Sequence, residues 1–454
     1  MDLEVIILAA GKGTRMYSQK PKVLHTLGGK PMLAHVVDAA RKLEANTVHL
    51  VVGYQAEQIR LAFEEDETLA WVEQKEQLGT GHAVMQAAPA LMQQSNVLIL
   101  YGDVPLLKVS TLNSLLEKLT GAAVAVLTLE TPEPFGFGRI VRDQQGSVLA
   151  IIEEKDASEQ QKKITEINSG IIAVKARNLC DWLQRIQNRN AQGEYYLTDI
   201  IALAHADGAG IETLCISDRH QVQGINDRLQ LSKLERYYQK KQAEELALKG
   251  MGIVDTARFD LRGELAFGED CEIDINVVLQ GKVSLGKRVR IGPNVSISNS
   301  SIGDDCIILA NSVIEGAEIK GKCSVGPFAR IRQGTILEEK VKIGNFVETK
   351  KTSIGTGSKI SHLSYAGDAI IGSEVNIGAG TITCNYDGVN KYVTHIEDGA
   401  FIGSNTSLVA PVSVGKQATV AAGSTITSDV PQKNLAVARQ RQRNIDGWKR
   451  PEKK

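Results

Sequence analysis

The sequence predicts an α/β chain in two unlike parts: an N-terminal Rossmann-like domain, a long linker helix and a C-terminal parallel β-helix. Three observations carry that prediction. Short β-branched runs alternate with helical patterns through the first half, and small apolar residues recur at every sixth position beyond about Gly252. A polar stretch with helical spacing joins the two. The expected boundaries are 1–228, 229–249 and 250–454. At 454 residues the chain also exceeds what one core ordinarily organises.

In the first half VIILAA (5–10), TVHLVV (47–52), NVLILY (96–101) and AVAVLT (123–128) are near-continuous apolar strands. Such runs suit a mainly parallel sheet covered on both faces. MLAHVVDAARKL (32–43) and AEQIRLAF (56–63) supply helices between strands. Right-handed crossovers then gather the carboxyl ends of the strands along one edge, where α/β sheets bind ligands.

The linker is NDRLQLSKLERYYQKKQAEELALKGMG (226–252). Asn226 or Asp227 can cap it, Gly250 can end it, and Leu231, Leu234, Tyr238 and Leu246 fall near one face. About 22 residues of helix span about 33 Å, enough to hold two domains apart.

Beyond it the period is six: Leu285, Ile291, Ile297; Ile302, Ile308, Ile314; Ile319, Val325, Ile331, Leu337, Ile343; and so on through Ile402, Leu408, Val414, Val420 and Ile426. The phase slips by one residue at 297→302 and 314→319. Coils therefore start at 285, 302, 319, 337, 354 and 371, 17–18 residues apart. Three six-residue faces per coil make a triangular prism with the β-branched residue inward, which an amphipathic helix cannot imitate. TCNYDGVNKYVTHIEDGA (383–400) breaks the rule as an eighteen-residue excursion. Long loops on a regular solenoid are more often functional than accidental.

Composition excludes several classes. Charged residues are 23% and apolar residues 43%, ordinary for a soluble globular chain. A formal net charge of −1 argues against nucleic-acid binding. No apolar run approaches the roughly 18–20 residues that cross a bilayer, so no membrane partner is expected. Six scattered cysteines without a C-x-x-C pair read as free thiols in a reducing compartment. Met1 leads straight into an apolar strand with no signal-peptide pattern, and the expected location is the cytoplasm.

ILAAGKGTRM (7–16) is a glycine turn after a strand that completes neither common phosphate pattern. No G-K-[ST] follows at Walker spacing, and Met16 stands where a dinucleotide fingerprint needs its third glycine. Exposed backbone N–H groups beside Lys12 and Arg15 still make an anion site. PKVLHTLGGKPML (21–33) adds Lys22, EQLGTGHA (76–83) is a second Gly-Thr turn opening a helix, and YGDVP (101–105) puts Asp103 at the end of a buried strand. A carboxylate there is placed to hold Mg²⁺. The plain alternative is solvated surface cations and a capped loop.

In the second half Arg332, Lys350 and Tyr365 are spaced 18 and 15 residues apart. Near-coil spacing stacks residues on adjacent rungs, so Arg332 and Lys350 can converge on one phosphate. His362 lies among them with the intrinsic pKa of a general base near neutrality. Without such neighbours a lone coil histidine is a hydrogen-bonded structural residue. Residues 431–454 hold eight Lys/Arg against Asp446 and Glu452, a basic tail.

The motifs L-x-x-G-x-G-T-R-M, P-K, Q-L-G-T-G-H and G-D-x-P resemble the nucleotidyltransferase domain of sugar-nucleotide pyrophosphorylases. With the hexapeptide half and its H-L-S-Y-A-G-D, the whole chain resembles a bacterial family. Its members are bifunctional N-acetylglucosamine-1-phosphate uridyltransferases and glucosamine-1-phosphate N-acetyltransferases. The resemblance implies acetyl transfer from acetyl-CoA to glucosamine 1-phosphate. UMP transfer from UTP to N-acetylglucosamine 1-phosphate then releases pyrophosphate. The product is UDP-N-acetylglucosamine, a precursor of peptidoglycan and lipopolysaccharide.

It further implies that Leu8, Ala9, Ala10, Gly11, Gln74, Gly79, Thr80, Tyr101, Gly102 and Asp103 surround the nucleotide, with Gln74 reading uracil. Arg15 and Lys22 act as catalytic cations on the phosphates, and Asp103 and Asn226 ligate Mg²⁺. Gly138, Glu153, Asn168 and Asn226 hold the acetamido sugar; Glu153 is chosen over the adjacent Glu154 by alignment alone. In the second half His362 is the general base and Glu348 is a candidate to orient it. Arg332, Lys350, Tyr365 and Asn376 hold glucosamine 1-phosphate. Ala379, Asn385, Tyr386, Ser404, Ala422 and Arg439 bind acetyl-CoA. The family's β-helix is left-handed, and it resembles homotrimers with the acetyl site built between subunits. ARQRQRN departs from the pattern by lacking a proline soon after Arg439.

The rival reading is a single-function pyrophosphorylase whose β-helix is structural or regulatory. A non-enzymatic β-helix scaffold is a third, disfavoured by the phosphate and Mg²⁺ motifs.

Overall fold

The computed structural model describes residues 2–451 and divides into two compact units, one running to Glu235 and one from Arg236. Glu452, Lys453 and Lys454 of the basic tail lie outside the described residues.

In the first unit the described residues form a nine-stranded sheet. Its strands are β1 (Leu3–Leu8), β2 (Thr47–Val52), β3 (Leu69–Glu73), β4 (Asn96–Tyr101), β5 (Val124–Glu130), β6 (Arg139–Arg142), β7 (Val148–Ile152), β8 (Glu166–Lys175) and β9 (Ile211–Ile216). The order is β9-β5-β8-β4-β1-β2-β3, with β6 paired to β8 and β7. Alternation along β1 sends Val5 and Ile7 into the core on one face and Ile6 and Leu8 into the core on the other. Helices Met32–Lys42 (α1) and Thr80–Ala87 (α3) lie after β1 and β3, and Ala56–Ala62 (α2) after β2. The four strands read from the sequence, β1, β2, β4 and β5, run in one sense, as a mainly parallel sheet requires. Strand β8 runs antiparallel to both β4 and β5, so the sheet is mixed. A doubly buried strand reads as an apolar run in either direction, and only pairing sets its sense.

The helix Arg228–Leu248 starts where the sequence indicated. Asp227 caps it, its Oδ1 accepting from Gln230 N at 2.8 Å. Gly250, at φ 100°, follows its end.

The second unit is a coil of short parallel strands, closed into an 11-stranded and a 17-stranded sheet among the described residues. One inward column runs Ile273, Ile291, Ile308, Val325, Ile343, Ile360, Ile377, Ile402 and Val420, each paired in register with the next. All are 5% exposed or less. Leu285, Ile302, Ile319, Leu337, Ile354 and Ile371 form a second such column, on the expected phase. The interruption is shorter than the sequence indicated. Ile382–Cys384 and Thr394–Ile396 are regular coil strands, so the excursion is the segment 385–393. In the first of these strands Thr383 takes the inward place, and in the second Thr394 and Ile396 point inward, Ile396 in register with Ile371.

Candidate active sites

Strands β1 and β4 are neighbours from which the chain order runs in opposite directions, so their carboxyl ends flank a crevice. A cavity of about 230 Å³ lies there. Leu8, Ala9, Ala10 and Gly11 line it from the end of β1, Tyr101 and Asp103 from the end of β4, and Gln74, Gly79 and Thr80 from the approach to α3. Lys22 reaches the same cavity. The glycine turn is required by its shape: Gly13 has φ +58°, and a Cβ there would stand 2.6 Å from Lys22 Cβ. Gly102 is packed beneath, where a Cβ would lie 3.1 Å from Leu33.

The Lys22 ammonium donates to Asp103 Oδ2 and lies 3.4 Å from Asn226 Oδ1. The sequence had assigned it to the phosphates; here it sits between the two residues expected to hold Mg²⁺. That placement is itself a fit test, because these oxygens already accommodate a cation. One carboxylate and one amide oxygen suit Mg²⁺, which keeps waters and substrate phosphate oxygens for the rest of its shell. Arg15, on the single turn Thr14–Met16, is exposed and does not line the cavity.

Gly138, Glu153 and Asn168 come together beside Tyr101. Asn168 N donates to Gly138 O at 2.8 Å, and a Cβ on Gly138 would lie 3.5 Å from the Glu153 carboxylate oxygens. Glu153 Oε1 accepts from Thr198 Oγ1 at 3.0 Å, and burial pushes its pKa up. Glu154 points elsewhere, paired at 2.6 Å with Arg139, which is 1% exposed. Packing thus leaves Glu153, and not Glu154, facing Gly138. Burial, then the Glu153 and Asp103 charges, push the Tyr101 hydroxyl up as well. Sequence reasoning missed Asp199, whose pKa rises to about 6 through burial and then the Glu153 and Asp156 charges.

On the β-helix, His362 pairs in register with Asn345 on the preceding rung. Carrying the same register onward stacks Ala379, Ser404 and Ala422 on successive rungs after it. At the far end Arg439 Nη1 donates to Ala422 O at 2.7 Å. Four residues assigned to acetyl-CoA and the assigned base are therefore brought to one line.

The orienting group is corrected. Glu348 does not meet His362; it accepts from Arg332 Nη1 at 2.7 Å. Asn345 Oδ1 lies 2.6 Å from His362 Nδ1 instead. An amide oxygen only accepts, so a hydrogen on Nδ1 satisfies this contact, and a neutral ring then has its lone pair on Nε2. Arg332 and Lys350 do stack, following the register Ile331↔Thr349, whereas Tyr365 pairs with Glu348 rather than joining their column. Lys391, which the sequence reading missed, lies close enough that its charge leads in lowering the Lys350 pKa, ahead of Arg332. It comes from segment 385–393, where the break in the period marks the place but not the residue. Asn385 donates to Asp368 and hydrogen bonds Tyr365. Tyr386 is exposed, its hydroxyl turned to Gly388 O. Asn376 pairs with Lys359 and Phe401 on the same sheet as His362.

Comparisons with known proteins follow the same division. Residues 5–166 match the MobA-like NTP transferase domain, 261–351 the GMPPB C-terminal domain and 393–428 the hexapeptide repeat of succinyl-transferase. "Bifunctional protein GlmU" of Marinobacter nauticus is 56% identical over 451 residues, 99% of either chain. The protein of that name from Cellvibrio japonicus is 57% identical over 452 residues, 100% of both. A solved structure of UDP-glucose pyrophosphorylase complexed with UDP-glucose covers 53% of this chain and 100% of its own, with a TM-score of 0.44 at 16% identity. That last likeness is too loose to bear on the fold. Identity above one half, sustained through both units, leads to one conclusion: the chain belongs to the GlmU family of bifunctional proteins.

Proposed function

We propose that the two units divide UDP-N-acetylglucosamine synthesis between them, the first transferring UMP and the second transferring acetyl. The chain is accordingly both a uridyltransferase and a glucosamine-1-phosphate acetyltransferase. The line of His362, Ala379, Ser404 and Ala422 ending at Arg439 carries this reading over the single-function alternative. A purely structural β-helix has no use for a histidine whose Nε2 is left free beside a column of small residues.

In the acetyl step the amine of glucosamine 1-phosphate attacks the thioester carbonyl carbon of acetyl-CoA. The N–C bond forms, His362 Nε2 takes the amine proton, and the C–S bond breaks to leave the CoA thiolate. Arg332, Lys350 and Lys391 bind the sugar phosphate, with Tyr365 and Asn376 positioning the sugar. The small side chains of Ala379, Ser404 and Ala422 let the pantetheine arm lie close. Arg439 meets the CoA phosphates, and Asn385 and Tyr386 hold the loop against the thioester end.

In the uridyl step a phosphate oxygen of N-acetylglucosamine 1-phosphate attacks the α-phosphorus of UTP in line, and the bond to pyrophosphate breaks. The Leu8–Gly11 backbone, Gly79, Thr80, Tyr101 and Gly102 cradle the nucleotide, and Gln74 meets uracil. Lys22 releases Asp103 and turns to the phosphates with Arg15. Gly138, Glu153, Asn168 and Asn226 hold the acetamido sugar. Mg²⁺, held by Asp103 and Asn226, supplies neutralisation of phosphate charge when bound.

The protein acts in the cytoplasm as a homotrimer. Support for a second copy comes from Phe328, Phe346 and Leu363, which are 49%, 55% and 62% exposed beside the His362 column. Phe328 and Phe346 stack at 5.4 Å, an apolar ridge that a neighbouring subunit would cover. The test is His362→Ala: acetyl transfer is expected to fall at least about 10³-fold with UTP turnover unchanged. Retention of acetyl transfer would favour the single-function reading.

A further inference from the structure

We propose that His82 sets the pyrimidine preference of the nucleotide site by fixing which end of the Gln74 amide faces the base. The inference rests on the reading that Gln74 meets uracil. Gln74 follows β3, is 3% exposed and lines the cavity at the β1/β4 crevice. Its Nε2 lies 3.2 Å from Gly79 O and 3.1 Å from His82 Nδ1.

These two contacts leave the amide one orientation. A backbone carbonyl only accepts, so the NH₂ end must face Gly79. Its second hydrogen then goes to His82 Nδ1, which is therefore the lone-pair nitrogen, and the ring hydrogen sits on Nε2. A neutral imidazole accepts at one nitrogen only. Gln86 Nε2 stands 3.2 Å from His82 Nε2 and donates to His82 O at 3.3 Å; Gln86 is only half-buried, and turning its amide oxygen to the Nε2 hydrogen exchanges that long contact for one to the ring. With both NH₂ hydrogens spent, Gln74 presents Oε1, and no described residue donates to it.

An acceptor at that place discriminates between pyrimidines. Uracil carries a hydrogen on N3 and can donate to Oε1. Cytosine has a lone pair on N3, and two acceptors would face each other in a buried site. His82 does not line the cavity, so it is a positioning residue and not a catalytic one. Removing its acceptor leaves one NH₂ hydrogen without a partner and only the 3.2 Å contact to Gly79 O against turning, so the turned amide, which would offer NH₂ to cytosine, costs less to reach.

The experiment measures kcat/KM for UTP and for CTP with N-acetylglucosamine 1-phosphate as acceptor. Acetyl transfer by the same preparations reports that the chain is folded. His82→Leu fills the ring's space without an acceptor, and the UTP/CTP ratio is expected to fall about tenfold or more. His82→Asn returns an acceptor near the Nδ1 position and should keep the ratio within about threefold of the unaltered chain. Equal loss on both nucleotides in His82→Leu, or an Asn variant no better than Leu, overturns the proposal. Equilibrium binding of UTP and CTP gives the same ratio if turnover is slow. Gln74→Ala separates the two layers: an unchanged ratio there overturns the reading of Gln74 itself.

Discussion

Asn345 is the residue whose place the tertiary structure changes most. Its amide oxygen lies 2.6 Å from His362 Nδ1, and in the proposed acetyl step that contact orients the base without stabilising its cation as strongly as a carboxylate would. Asn345→Ala should lower kcat for acetyl transfer about 10- to 100-fold with little change in KM, because the ring loses orientation while the substrate contacts stay. Asn345→Asp should shift the acid limb of the acetyl-transfer pH profile upward by about one unit, since a carboxylate favours imidazolium. Uridyl transfer is the internal control in both cases, and an unmoved profile in the Asp variant would count against the contact. At the other site, Asp199 offers a pH test of stability. Its carboxyl is held up to about 6, by burial first and then by Glu153 and Asp156. Between about pH 4 and 6 the folded chain keeps a proton that the unfolded chain releases. Stability therefore declines as pH rises across that window and levels off above it. Asp199→Asn should remove the decline, gaining on the order of 1 kcal/mol above pH 6 after solvent screening and little at pH 4. Denaturation midpoints of the two chains across pH 4–7 measure the difference.

At the scale of elements, segment 385–393 and the rungs around it have separable duties. Tyr392 N returns to Asn385 O at 2.9 Å, so the segment closes on itself and the coil resumes at Thr394. Replacing 387–391 by a short glycine turn should leave the thermal midpoint within a few degrees and remove most acetyl transfer, because Lys391 leaves Lys350 and Arg332. The rungs behave otherwise. Ile343 is fully buried between Val325 and Ile360, and Ile343→Ala should cost about 2–4 kcal/mol through the cavity it leaves. Calorimetry separates the two outcomes: the loop change alters chemistry with little melting shift, and the rung change does the reverse. The αL corner of the coil adds a further clue. Asn276, Asn294 and Asn311 occupy it on early rungs, as that conformation prefers, yet Phe328, Phe346 and Leu363 occupy it on the rungs that lead to His362. Bulky residues held at positive φ are strained there, which agrees with the proposed contact of this face with a second copy.

For the whole molecule, two activities on one chain make a complementation prediction. His362→Ala and Asp103→Ala each lack one step, and an equimolar mixture should make UDP-N-acetylglucosamine from glucosamine 1-phosphate, acetyl-CoA and UTP. The expectation follows from a free intermediate, and a mixture that accumulates only N-acetylglucosamine 1-phosphate with active Asp103-intact protein present would argue for direct transfer. No described helix is long and apolar enough to cross a membrane.

What the sequence by itself determined is everything set by periodicity and by local turn chemistry. A strict period of six dictates coils and their inward columns; alternation along an apolar run dictates a two-sided strand; glycines beside Lys22 dictate a backbone that can approach an anion. Asp103 at a strand end was legible for the same reason, because chain position fixes it. Tertiary structure decided each choice between chemically equal neighbours. Glu153 is left facing Gly138 because buried Arg139 takes Glu154. Asn345 meets His362 because rung register pairs them, while Glu348 is claimed by Arg332. Strand β8 runs antiparallel because its partners, not its composition, set its direction. Patterns along the chain record which face a residue takes; which partner it meets there depends on packing between segments distant in sequence, and no local period encodes that.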